Sequence, residues 1–307
     1  MTRVLAAYRE HFGDEELPTV EQFDAGYAHL TDCDPEIDIV VIEAGDEVVA
    51  YGRTSRSGDD EGSHDLVVFA PVMPEHLDRD LFDRMLAAQE AHLLAGADGL
   101  GGRSRFRAFA GHPGPGLEPT GEAAWLEAHG YEAVEWGAAL VRPHLDDIPD
   151  LALPDGVEVR PVTPDQMRPI WEAHHEAFRG EWDFQEATPE LIDAMLAEPY
   201  TDPTLWKVAW AGDQIAGQVK SYVNPDENEA RDYLRGYAEY ISTHRDWRNR
   251  GIAGALLAMS LVELRDRGMT EAALGVDTNN PGGAFHLYTK LGFELRAYTA
   301  VYGKPVA

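Results

Sequence analysis

Apolar and polar positions alternate over VEVRPVT (157–163), as in a half-buried strand. Thr163, Pro164 and Asp165 then read as a helix start, with Thr163 as N-cap and Pro164 at the first helical position, and the helix runs to about Phe178. ATPELIDAMLAE (187–198) predicts a second, short helix. LWKVAWAG and DQIAGQVKSYV, joined by Gly212-Asp213, predict a strand–turn–strand unit. The acidic NPDENEARD (224–232) reads as a loop and RGYAEYISTH (235–244) as a long strand. In GIAGALLAMSLVELRDRG (251–268), Ile252, Leu256, Met259 and Leu264 mark an apolar helix face, and Gly268 suits its stop. MTEAALGVDT predicts a buried strand. Asn280 caps the next helix, Pro281 opens it, and Gly292 follows its end, before the strand FELRAYTAVYG.

The first half repeats this plan weakly. HGYEAVEWGAALVRP (129–143) aligns with LGFELRAYTAVYGKP (291–305) at an offset of 162, placing Gly130 on Gly292, Tyr131 on Phe293 and Pro143 on Pro305. EAGDEVVAYG (43–52) resembles WAGDQIAGQV (210–219), and REHFGDEELPTVEQF (9–23) loosely resembles HEAFRGEWDFQEATPELI (175–192). Three similarities in one order point to a duplicated domain. The first copy lacks a counterpart of VEVRPVT. A Pro- and Asp-rich stretch around 143–156 reads as a linker. The expected division is therefore 1–145, a linker at 146–155, and 156–307.

The length of 307 residues agrees, since it allows two domains that each bury a core. With 44% hydrophobic residues and a normal aromatic share, disorder is excluded. A single cysteine, Cys33, rules out a disulfide scaffold and fits a reducing cytoplasm. No apolar run reaches the length of a membrane span, and the opening MTRVLAAYREHFGDEE is not a signal peptide. The formal net charge of −30 argues against general nucleic-acid binding. That charge is uneven. Residues 1–154 hold 31 acids and 10 bases, and residues 155–307 hold 24 acids and 15 bases. Only four bases are lysine: Lys207, Lys220, Lys290 and Lys304. A surface adapted to high cytoplasmic salt and an Arg-favouring, GC-rich genome are both open readings of this bias.

The segment HRDWRNRGIAGALL (244–257) joins a strand to a helix and sets Arg245, Arg248 and Arg250 against Asp246. A helix N-terminus offers unpaired N–H groups and partial positive charge, and Gly251 and Ala253 would let an anion approach the backbone. The plain alternative is a solvated Arg patch before an ordinary helix. R-x-x-G-x-A after a strand (Arg248, Gly251, Ala253) is followed about 30 residues later by N-P-x-x-A-x-x-L-Y-x-x-L-G-F. In this second motif the residues are Asn280, Pro281, Ala284, Leu287, Tyr288, Leu291, Gly292 and Phe293. Together they resemble the GNAT superfamily of acyl-CoA-dependent N-acetyltransferases over most of 156–307. The tandem layout is similar to that of the mycothiol synthases.

The resemblance implies an α/β chain of the α+β GNAT type. Two tandem acyl-CoA N-acyltransferase-like domains would each form a mixed, mostly antiparallel sheet flanked by helices. It implies acetyl-CoA as cosubstrate, no metal, and a small-molecule amine as acceptor. Backbone groups of Ile241, Ser242 and Thr243 would pair with the pantetheine arm. Amides of Arg248, Asn249, Arg250, Gly251, Ile252, Ala253 and Gly254 would hold the pyrophosphate. Asn280 would bond the pantetheine or cap the last helix, and Tyr288 would protonate the departing thiolate. Independently, a phenol near pKa 10 stays protonated at neutral pH and suits a thiolate near 8.5, although Tyr288 could instead be a core ring beside Leu287. The attacking amine needs a base. Glu239 lies in the strand AEYISTH, where alternation puts it on one face with Ile241 and Thr243, and partial burial would raise its pKa. A structural carboxylate paired with an Arg is the alternative. His244 is a fallback base.

Other features point less far. Adjacent His174 and His175 point about 100° apart on a helix and do not form a metal pair. GLGGRSR (99–105) and GHPGPGLEP (111–119) read as loops, and acids around Cys33 would raise its pKa. In the first half, MPEHLDRDLFDRML replaces the R-x-x-G-x-A loop, while Leu126 and Glu118 stand at the Tyr288 and Asn280 positions. This copy is expected to be a non-catalytic scaffold or cleft wall. The reading is direct acetyl transfer to a primary amine in a ternary complex, with an acyl-CoA-binding pseudoenzyme or interaction module as the alternative. No membrane or nucleic-acid partner is expected, and the oligomeric state is left open.

Overall fold

The computed structural model describes residues 1–12, 19–28, 30, 33–58, 64–95, 104–179, 187–278 and 283–306. The first half runs α1 (Thr2–His11), α2 (Val20–Ala28), β1 (Ile39–Ala44), β2 (Glu47–Gly58), β3 (His64–Phe69), α3 (Arg79–Ala95), β4 (Arg105–His112), α4 (Glu122–Ala128) and β5 (Glu132–Arg142). The second runs β6 (Glu158–Arg160), α5 (Met167–Ala177), α6 (Pro189–Leu196), β7 (Lys207–Ala211), β8 (Gln214–Tyr222), α7 (Pro225–Arg231), β9 (Arg235–Thr243), α8 (Ile252–Asp266), β10 (Glu271–Asp277), α9 (Ala284–Lys290) and β11 (Glu294–Pro305). Apart from β6 and α7, the two halves follow one order, as the sequence repeat implies. Among the described residues no helix is long and apolar enough to cross a membrane.

Local chemistry accounts for most element ends. Thr163 and Gln166 close a capping box around a short 3₁₀ turn at 164–166, so the α-helix proper starts at Met167. The stretch read as a loop at 224–232 contains α7 instead. Asn224 accepts a hydrogen bond from the Glu227 N–H, Pro225 takes the first position, and Asp226 and Glu227 sit in the first turn. The last helix begins at Ala284, with Gly283 as its N-cap. Asn280 and Pro281, expected to open it, lie outside the described residues.

Among the described residues all eleven strands join one sheet, in the order β1-β2-β3-β4-β11-β5-β10-β9-β8-β7-β6. Pairing is antiparallel except at β3/β4 and β9/β10. The closing strands of the halves are exchanged. β5 pairs with β10 over Ala272↔Arg142 to Asp277↔Gly137, and β11 pairs with β4 over Tyr298↔His112 to Pro305↔Arg105. β5 and β11 also pair with each other. Each core is therefore built from both halves. Ala138 and Leu140 of β5 pack with Leu256, Leu261 and Tyr288, while Ala300 and Tyr302 of β11 pack with Leu66, Leu86 and Leu126. The Pro/Asp-rich connection is anchored too, with Leu145 buried in the second-half core.

Arg142, the last residue of β5, fastens this exchange. Its guanidinium donates to the Leu291 carbonyl and to Asp147, and its Nε donates to the His144 carbonyl at 2.8 Å. Gly292 and its repeat mate Gly130 both take φ of +82°. A Cβ at Gly292 would come within 2.5 Å of Arg142 Nη1, whereas one at Gly130 meets no atom within 4 Å. Gly130→Ala should cost only the left-handed backbone, about 1–2 kcal/mol. Gly292→Ala should cost at least about 1 kcal/mol more, because it displaces a bonded guanidinium. Urea denaturation of the two variants compares them directly, and equal losses would contradict this account.

Candidate functional site

The parallel ladder between β9 and β10 is short, running from Glu271↔Arg235 to Ala273↔Tyr237. Beyond it the strands part. On its other edge β9 stays paired with β8 as far as Thr243. The β10-facing edge of β9 from Ala238 to Thr243, including Ile241 and Ser242, thus lies outside that ladder. Glu239 spans the opening, and its Oε1 accepts the Gly275 N–H at 2.8 Å.

The simple alternation read for this strand fails at one residue. Tyr240 has φ of +50°, and the β8/β9 register shifts between Gln218 and Lys220. This bulge turns Tyr240 onto Trp171 of α5, with ring centroids 4.6 Å apart. Ile241 instead packs in the cluster that contains Ala238 and the α8 residues. Glu239 and Ile241 therefore do not share a face.

Past β9 the chain forms the loop that the sequence singled out. His244 Nδ1 accepts the Asp246 N–H and caps a 3₁₀ turn at 245–247. Asn249 (φ +61°) and Gly251 (φ +82°) are both left-handed, and Gly251 is the N-cap of α8. Alternating backbone hands of this kind turn successive N–H groups into one concavity, here at the positive end of a 15-residue helix. A Cβ at Gly251 would meet nothing within 4 Å, so the space over the helix start is open. Behind it, Ile252 is buried, and a Cβ on Gly254 would press on Leu287 of α9 at 3.3 Å. Ala253 belongs to the same first turn.

The arginine side chains mostly build this loop. Arg248 donates to the Ala177 carbonyl at 2.6 Å and to the Thr243 carbonyl at 3.4 Å. Arg245 pairs with Glu176 at 3.0 Å, and the Arg250 guanidinium lies 4.7 Å over the Trp247 ring. Anion binding here would fall chiefly to backbone N–H groups, with the guanidinium charges nearby.

Tyr288 lies one turn into α9 and is 5% exposed. Burial first, and the Glu239 carboxylate second, push its phenol well above the usual value. The fold thus brings Glu239 and Tyr288 together from positions 49 residues apart. Gly275, which bonds Glu239, also borders a cleft of about 630 Å³ between the halves, together with Asp277 of β10, Trp136 and Gly137 of β5, Phe178 after α5, and Tyr8 of α1. Nothing in the local sequence marked this cleft, because strand exchange and α1 assemble it.

The first half keeps the parting of strands with other residues around it. The β3/β4 ladder also stops after three pairs, at Val67↔Arg107. Asp78 Oδ1 accepts the Leu81 N–H at 2.8 Å, so the start of α3 carries its own carboxylate. Leu126 is buried where Tyr288 would align, and the Tyr8 hydroxyl donates to Glu122 at 2.6 Å. Burial raises the Glu122 carboxyl to about 7 against the pull of that hydrogen bond. Cys33 is half-buried and raised by burial and by Asp38, and the half-buried His174 packs edge-on against the rings of Trp171, Phe178 and Tyr240. Among the described residues no three His, Cys, Asp or Glu side chains gather as a metal site.

A family model described as "Acetyltransferase (GNAT) family" matches residues 167–293. The chain carries a GNAT acetyltransferase domain. This GNAT domain contains the loop, Glu239 and Tyr288. A relative named Mycothiol acetyltransferase, from Geodermatophilus obscurus, is 29% identical over 180 residues, covering 58% of each chain. The match thus spans less than two thirds of that relative. A GCN5-related N-acetyltransferase from Sphaerobacter thermophilus shares the fold at a TM-score of 0.72 and 24% identity, over 99% of this chain and 91% of that one. A tandem GNAT protein from the clavulanic acid biosynthesis pathway does so at 0.68 and 15%, over 99% and 93%. The mixed, mostly antiparallel sheet flanked by helices that the sequence led us to expect is observed and shared with these structures, with the strands of both halves joined in one sheet instead of two.

Proposed function

We propose that the chain transfers an acetyl group from acetyl-CoA to a primary amine of a small molecule, by direct attack in a ternary complex. The observation that carries this reading is the convergence of Glu239 and Tyr288 where β9 and β10 part. On one side lies an anion-accepting helix start, and on the other a cleft large enough for a small acceptor. The residues at the helix start fit the cofactor's pyrophosphate, since open space over Gly251 and left-handed backbone at Asn249 and Gly251 suit an anion on the amides of 249–254, while the Arg248 N–H is already given to the Arg245 carbonyl. The freed edge of β9, at Ile241 to Thr243, suits an extended amide-bearing arm that adds as a strand. Asn280 remains a candidate for the same arm, from outside the described residues.

Glu239 takes a proton from the amine, directly or through one water, as nitrogen bonds to the thioester carbon. The carbon–sulfur bond then breaks, and Tyr288 donates its proton to the leaving sulfur. The proton held by Glu239 returns to the phenol or to solvent, so charge balances over the cycle. Backbone N–H groups at the strand opening would polarise the carbonyl, and holding both substrates together supplies much of the rate. Residues 156–307 carry this chemistry. The first half, with Asp78 where an anion would sit, serves as cleft wall.

The test is a panel of primary amines with acetyl-CoA, including an amino-sugar thiol of the mycothiol type and polyamines, run at low and molar salt. Acetyl-CoA should raise the melting temperature, and at least one amine should stimulate CoA release. A melting shift with no release by any amine would leave a binding module. The absence of both would end the reading.

A further inference from the structure

Lys220 on β8 is 2% exposed, and its surroundings are unusual for a lysine. Its Nζ lies 3.8 Å from the centre of the Trp171 ring, 5.4 Å from that of Tyr240 and 6.0 Å from that of Trp206. Among the described residues its one hydrogen bond is to Gln218 Oε1, at 3.1 Å, and Gln218 in turn donates to the Ile170 carbonyl of α5. Burial drives the lysine pKa down. An apolar side chain of similar length would escape that desolvation cost, so the ammonium is a poor choice for filling a core.

What a methionine cannot do is grip ring faces. An amine N–H within about 6 Å of a ring is drawn to its negative face, more strongly still when the amine is protonated and water is excluded. Tyr240 is the ring that needs gripping. It is a non-glycine residue in left-handed backbone, a strained state that persists only where its surroundings enforce it. It directly follows Glu239, which stands opposite Lys220 in the β8/β9 register. Trp171 closes on Tyr240 from the other element. We propose that Lys220 is a positioning residue for the transfer step: held among Trp171, Trp206 and Tyr240, it clamps the Tyr240 bulge and so keeps Glu239 aimed across the opening at Gly275.

This inference rests on Glu239 being the base. Its test is Lys220→Met, assayed with an amine that the wild type accepts. The groups facing Lys220 are Gln218 on its own strand, Trp171 and His174 of α5, Trp206 before β7, and Tyr240 and Glu239 of β9. Of these, Glu239 is the one placed to set the acidic limb of the rate profile. The expected result is a fall in kcat of about tenfold or more and a displaced acidic limb of kcat/KM. The melting temperature should hold or rise. A lysine that merely fills the core gives the reverse pattern, an altered melting temperature with unchanged kcat and profile, and that result overturns the proposal. If Lys220→Met fails to fold, Tyr240→Leu carries the test, since it removes the gripped face while keeping bulk. It should lower kcat alike, and an unchanged rate overturns the proposal. In the double variant the losses should not add, because both remove one clamp. A wild type inert toward every amine would sink the transfer reading and this inference together. An active wild type with an indifferent Lys220→Met sinks this inference alone.

Discussion

Tyr288→Phe should lower kcat for CoA release by about 10²- to 10³-fold while leaving the fold intact. The ring itself is a core group, packed in the cluster of Leu256, Leu261 and Phe293, and phenylalanine preserves that packing. Only the proton donor is lost. The coupling to Glu239 makes the phenol suitable despite its raised pKa. The negative carboxylate is part of what holds the Tyr288 proton so firmly. Once Glu239 has taken the amine's proton, that charge is gone and the phenol becomes the better acid, at the moment sulfur must leave. A thioester with a more acidic thiol should therefore suffer less from the substitution. A loss below about threefold with acetyl-CoA would reduce Tyr288 to a packing residue.

Glu239→Gln should lower kcat/KM by about 10²-fold and flatten its acidic limb. The amide oxygen can still accept the Gly275 N–H, so the strand opening keeps its shape while the base is removed. Because the negative charge near Tyr288 disappears, the phenol should also titrate lower than in the wild type. Ultraviolet titration reads that shift without any substrate. A persistent acidic limb would assign proton removal to another group.

The residues around this site were legible to different degrees. Small residues and arginines between a strand and a helix singled out the loop at 244–254, and the Leu-Tyr-x-x-Leu-Gly-Phe run marks the last helix. Both are local signals. The α7 helix was local too, since Asn224-Pro225 followed by two acids is a helix start that its charge disguised as a loop. The Tyr240 bulge had no such signal. Nothing about a tyrosine announces left-handed backbone, and one such residue reversed the face expected for Ile241. Gly275 as partner of Glu239, and the cleft beyond it, depend on which strands lie side by side. Period and turn chemistry showed two similar sets of strands without showing that they trade their last members.

That trade has a consequence for how the molecule is made. β4 leaves the ribosome long before β11, its neighbour in the finished sheet. At roughly 10 residues per second, β4 waits on the order of 20 s for that partner, so the half synthesised first is completed last. During the wait it presents an unpaired strand edge, a template for joining another nascent copy. Residues 1–154 carry 31 acids against 10 bases, and two such chains repel each other strongly. The acidity concentrated in the early half thus falls where an unfinished sheet most needs to be kept apart from its own kind.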